Sequence, residues 1–137
     1  TDGSELSNMA IAHGIKFGRE INARSTGLTG TMPFHFFAMD GMQIADTAEQ
    51  YAKDSKALAM RNLKVLKDAA IAAGVECELV HRESEHPYEE IVNTAQTQGC
   101  DVIFQASHGR RGMQALVMGS ETHKVLTHTK IPVLVFR

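Results

Sequence analysis

A chain of 137 residues, 43% apolar and 22% charged, suits one domain that buries roughly two thirds of its unfolded surface without staples. A net charge of −2, with Arg110-Arg111 the only adjacent arginines, excludes the polybasic footprint of a nucleic-acid or anionic-membrane binder. No apolar stretch approaches the ~20 residues of a membrane span, no signal peptide is visible, and Cys77 and Cys100 lack metal-type or redox-type spacing. The expectation is a cytoplasmic protein with buried free thiols.

In chain order, Ser4 caps a first helix carrying Ile11, Ile15 and Ile21 inward, with Gly14 and Gly18 allowing close approach to a sheet. Ser25 to Met32 is a strand candidate whose glycines, Gly27 and Gly30, mark a bulge or a close backbone approach. Pro33-Phe34-His35-Phe36-Phe37 is an aromatic connection, read as a lid over the core or as a partner surface. A long helix runs from about Asp46 to Ala73, with Tyr51, Leu58, Leu63, Leu66 and Ala70 on one face and Gly74 as its stop. Val75 to His81 reads as the next strand. Pro87 then opens a short helix with Ile91, Val92 and Ala95 inward and Gly99 past its end. Asp101 to Ala106 reads as a strand buried on both faces, and Val133 to Phe136 as a final strand at a sheet edge. Helices alternating with strands predict a parallel sheet with helices packed on its faces.

The segment most charged with chemistry is Ala106-Ser107-His108-Gly109, nine residues, then Gly119-Ser120-Glu121-Thr122. A buried strand there runs into two glycines and a helix start, with Ser120 read as the N-cap and Val125 and Leu126 inward. Backbone N–H groups at a helix start have no intrahelical partners and, with the helix dipole, favour an anion; glycine lets the backbone approach it. The plainer reading is that the glycines merely end a strand and begin a helix. His108 either donates to a bound phosphate or packs beneath it. Ser107 and His108 do not read as a catalytic dyad, because adjacent strand residues point to opposite faces unless the strand has already ended. His81 with His86, and His123 with His128, are spaced by five and so read as polar or capping histidines rather than metal ligands. No nucleophile elbow or Gly-x-x-x-x-Gly-Lys loop occurs, so no catalytic residue is assigned, with slow hydrolysis of a bound ATP left open.

The glycine spacing resembles the nucleotide-binding pattern of the universal stress protein family: Gly, two residues, Gly, nine residues, Gly, then Ser or Thr. Gly109, Gly119 and Ser120 fill three of its four places, and Ala106 stands where the first glycine falls. Thr1-Asp2-Gly3-Ser4-Glu5 resembles the loop after the family's first strand, and Lys130 to Val135 its last strand. The resemblance implies a Rossmann-like, open parallel five-stranded sheet with helices on both faces, in a single domain over residues 1–137. Its first strand would lie mid-sheet and precede Asp2, so these residues are expected to belong to a longer native chain.

The resemblance further implies that Asp2 lies near the nucleoside and that Thr31 and Met32 offer backbone contacts to adenine. Gly109, Gly119 and Ser120 would hold the phosphates, Thr122 would add a hydroxyl, and Arg110 or Arg111 would pair with an outer phosphate. Glu121 counts against binding unless its side chain turns outward. ATP, with or without Mg2+, is the implied ligand, ADP or AMP being alternatives, and a homodimer through the C-terminal edge strand is the implied assembly. Two function classes stay open: a nucleotide-binding regulatory module, and a nucleotide-independent stress protein acting through dimerisation and partner contacts.

Overall fold

The computed structural model describes residues 1–34, 48–109 and 118–137. Its first helix, α1 (Glu5–Glu20), starts at Ser4, whose hydroxyl accepts the Ser7 N–H at 3.2 Å as an N-cap. Ala10, Ile11, Ile15 and Gly18 line its buried face at helical spacing. The close approach expected of the glycines is present: a Cβ on Gly14 would stand 3.3 Å from the Phe104 ring, and one on Gly18 3.4 Å from Ser25 Oγ.

Strand β1 (Ser25–Thr31) pairs in parallel with β2 (Cys77–Glu83), in a register running from Ser25↔Cys77 to Thr31↔Glu83. Between them runs α2 (Ala48–Ala73), with Ala59, Leu63, Leu66 and Ala70 buried. Gly74 ends it with φ 69°, in the left-handed region, and the Val75 N–H returns to the Ala70 carbonyl at 2.9 Å. That helix-ending turn consumes Val75, which is why β2 begins two residues later than its hydrophobic run suggests.

Helix α3 (Pro87–Thr97) carries Pro87 in its first turn and ends before Gly99, which has φ 63°. Strand β3 (Ile103–Ala106) follows, then α4 (Ser120–His128) and β4 (Val133–Phe136). β3 and β4 pair in parallel, Ile103 opposite Val133 and Ala106 opposite Phe136.

The parallel pairing and the alternation of helices and strands are present, but the described residues form two two-stranded parallel sheets, β1-β2 and β3-β4, and not a five-stranded one. Ladder hydrogen bonds close within each pair, and the Leu28 carbonyl of β1 accepts from the Thr1 amine instead of from another strand.

Helices on both faces are observed. Phe104 points to Gly14 of α1, while its neighbour Ile103 packs with Ala95 of α3 and Val125 of α4, as strand alternation requires. A second core joins Ile11 and Ile15 of α1 to Leu66 and Ala70 of α2 and to Val75. Cys77 and Cys100 are free thiols, half-buried rather than buried. Partial burial pushes the Cys77 thiol above its ordinary value, against a smaller opposing hydrogen bond from the Gly27 backbone.

Gly27 is where α2 sits closest on β1: a Cβ there would fall 2.8 Å from Leu66 Cδ1. Gly27→Ala is expected to cost about 1–3 kcal/mol by overpacking. In urea unfolding, the loss should shrink when Leu66 is already truncated to Ala. The raised Cys77 value has its own signature. A higher folded-state pKa leaves less thiolate at any given pH, so the iodoacetamide reaction of Cys77, followed by peptide mass spectrometry, should accelerate only above the pH at which an unhindered thiol does.

Candidate functional site

The site is built on the exit of β3. The Ser107 N–H extends the ladder to the Phe136 carbonyl at 2.7 Å, and the Ser107 carbonyl then accepts the Gly119 N–H at 2.9 Å. This brings the start of α4 against the end of the strand. A Cβ on Gly119 would lie 2.8 Å from the Ser107 carbonyl oxygen, so only glycine permits the contact with the backbone as it stands.

Thr122, in the first turn of α4, fastens the same junction. Its buried hydroxyl lies 3.0 Å from the Ala106 carbonyl and 3.2 Å from that of Ser107, sharing one proton between them, and accepts from Gln105 Nε2 at 3.2 Å. Thr122 thus clamps helix to strand. Sequence reasoning did not anticipate Gln105, whose side-chain oxygen is buried and, among the described residues, has no hydrogen-bond partner.

The N-cap of α4 is Gly119, not Ser120, and among the described residues no side chain caps the helix. The reason is the Ser107 contact: it fixes Gly119 in extended backbone at φ −59° and ψ 147°, and the helix turns from the next residue. Ser120 is consequently the first helical residue, exposed at the mouth of the helix.

Asp2 and Gly109 meet at this end of the sheet. One Asp2 oxygen accepts the Ser4 N–H at 3.0 Å, and the other lies 2.7 Å from where a Gly109 Cβ would be. Thr1 fastens this corner to β1, its carbonyl accepting the Thr29 hydroxyl at 2.6 Å. Further along, the Thr31 carbonyl accepts the Ser84 N–H at 3.0 Å and its hydroxyl pairs with His81 Nε2 at 2.9 Å. The Met32 carbonyl accepts the Tyr51 hydroxyl at 2.9 Å, so the end of β1 is held by β2 and α2 together. Arg110 and Arg111 lie outside the described residues, as do His35, Phe36 and Phe37 of the aromatic connection; Phe34 packs on Tyr51 at 5.5 Å.

The exception allowed for Ser107 and His108 applies: the strand ends at Ala106, so strand alternation does not govern them, and Ser107 Oγ and His108 Nδ1 are 2.9 Å apart. Ser107 is only 1% exposed, which keeps its oxygen from any substrate.

Glu121 turns outward. Its carboxylate accepts the Tyr88 N–H at 3.0 Å, at the start of α3, and the Lys124 ammonium at 2.8 Å. The hydrogen bond to Glu121 raises the Lys124 ammonium above its ordinary value, and Lys124 also stands 5.2 Å over the Tyr88 ring. The Tyr88 phenol is raised as well, first by its hydrogen bond to Glu89. The sequence did carry a signal for this arrangement: α3 opens on His86-Pro87, with no Ser, Thr, Asp or Asn to cap it.

Among the described residues, no group of three or more His, Cys, Asp or Glu is placed to hold a metal ion, and no helix is long and apolar enough to cross a membrane.

A sequence profile of the universal stress protein family matches residues 1–137. The Bacillus subtilis universal stress protein YxiE is 27% identical over 151 aligned positions, covering 99% of this chain and 94% of that protein. Among solved structures, MJ0577 of Methanocaldococcus jannaschii superposes with a TM-score of 0.82 at 23% identity, covering 99% of this chain and 90% of that one. A universal stress protein in complex with cAMP gives 0.73 at 22% identity, with 100% and 92% covered. An Archaeoglobus fulgidus universal stress protein in complex with dAMP gives 0.63 at 14% identity, with 100% and 92% covered. These structural likenesses carry the α/β fold, and the profile match carries the kinship. The chain belongs to the universal stress protein family.

Proposed function

We propose that this chain is a regulatory module that binds an adenine nucleotide, ATP with or without Mg2+, where the β3 exit, the start of α4 and Asp2 converge. The observation that carries this reading is the first turn of α4. It begins without a side-chain cap, and the one acid in that turn, Glu121, is bonded to Tyr88 and Lys124. The dipole and N–H groups of the turn are thereby left to an anion. Gly109, Gly119 and the exposed Ser120 hydroxyl suit phosphate, with His108 beside them. Asp2, an acceptor, suits ribose hydroxyls, and the backbone of Thr31 and Met32 suits adenine.

The complexes of related proteins with cAMP and dAMP support an adenine nucleotide as the ligand class. A regulatory rather than catalytic role is supported by the burial of Ser107, whose hydroxyl is bonded to His108. The nucleotide-independent reading is favoured by one residue, Ala106, whose methyl stands where the family pattern has its first glycine. Either reading includes a homodimer along β4. That strand has β3 as its only strand neighbour among the described residues and presents Leu134 46% exposed.

Isothermal titration of the purified protein with ATP and Mg2+, ADP, AMP and cAMP is expected to show one site per chain. Ser120→Ala should weaken binding about tenfold, the loss of one hydrogen bond to a charged group. Absence of binding at millimolar concentration of every nucleotide would overturn the reading in favour of the nucleotide-independent one. Native mass spectrometry should show a dimer that Leu134→Glu converts to monomer without unfolding; a monomeric wild type would remove the β4 assembly.

A further inference from the structure

We propose that Glu121 is a positioning residue for the nucleotide cradle: as the cap of α3 supplied by α4, it fixes the direction of the α4 first turn. The inference rests on the nucleotide reading above and adds to it the residue that preorganises the site. The argument begins with α3. Its first position is Pro87, which has no N–H, and the Glu89 N–H is taken by the His86 carbonyl at 3.0 Å. The Tyr88 N–H remains, and His86 provides no side-chain cap for it. Glu121 Oε2 accepts it at 3.0 Å, 33 residues away in the chain.

The same bond constrains α4. With no side-chain cap, its first turn is located by three attachments: Gly119 to the Ser107 carbonyl, Thr122 to the Ala106 and Ser107 carbonyls, and Glu121 to Tyr88. The first two hold the turn to β3, and Val125, further along the helix, packs with Ala95 of α3. Glu121 is the attachment that ties the first turn itself to α3 and so sets its direction. Its second oxygen bonds Lys124 at 2.8 Å, which holds the carboxylate in place and partly neutralises it. A charge that would repel phosphate is thus used to aim the donors that attract it.

The test compares Glu121→Gln, Glu121→Ala and the double variant His86→Asp/Glu121→Ala by calorimetry with Mg2+ and ATP, thermal unfolding, and hydrogen exchange over residues 118–128. Gln keeps the acceptor for Tyr88, and its affinity should stay within about threefold of wild type. Ala should weaken binding about tenfold and speed exchange in the α4 first turn. Asp at position 86 gives α3 a cap of its own, so the double variant should regain the lost thermal stability while affinity stays low and exchange stays fast.

Recovery of affinity in the double variant would reduce Glu121 to a structural prop and overturn the proposal. So would tighter binding by Glu121→Ala, the result expected if the residue only repels phosphate. If the wild type binds no nucleotide, the proposed function fails by itself. Exchange in the α4 first turn then decides on positioning, and an unchanged rate in the double variant overturns it.

Discussion

The contact between Gly119 and the Ser107 carbonyl sets the rest of the site. A helix cap can bring its N–H to 2.9 Å from a carbonyl at the end of a strand in this way only if the cap residue lacks a side chain on the approaching face. Once Gly119 is there, helical periodicity places Thr122 over the strand carbonyls and Val125 into the core, where it is wholly buried. Glu121 is carried toward α3 by the same rotation. The proposed phosphate cradle, a clamp and a tether thus follow from one backbone approach.

The opposite wall is organised by small residues of a different kind. Gly14 and Gly18 bring α1 down on Phe104 and Ser25, and α1 in turn carries the Ser4 cap to which Asp2 is bonded. The acid facing Gly109 is therefore held by a helix whose packing depth the glycines decide. Polar groups at the end of β1 are tied in similarly, through Ser84, His81 and Tyr51. Thr31, Met32, Gly119, Glu121 and Thr122 are each bonded to an element other than their own, and Asp2 and Ser120 sit at the mouths of helices.

Local signals were legible in the sequence because they act over a few residues. The Ser4 cap, Pro87 in the first turn of α3, the stops at Gly74 and Gly99, and most of the inward helix faces follow from backbone preferences or periodicity. Ile21 and Leu126, expected inward, are instead 57% and 38% exposed, Ile21 because α1 ends at Glu20 and leaves it at the C-cap. What was not legible depends on partners far along the chain. The division into β1-β2 and β3-β4 depends on which edges find ladders. The cap at Gly119 rather than Ser120 depends on a carbonyl twelve residues earlier, at Ser107. The bond between Ser107 and His108 depends on where β3 stops. Glu121 read as an obstacle because its acceptor role becomes visible only when α3 lies beside it.

The two glycines of the cradle differ in what they say about ligand binding. Gly119 faces main chain, which cannot swing aside, so folding alone demands it whether or not anything binds. Among the described residues, Gly109 faces the end of the Asp2 side chain rather than main chain, so folding alone asks less of it. A relative that has given up its ligand would keep the first and be at liberty to lose the second. As a diagnostic of function within the family, then, the informative glycine is Gly109.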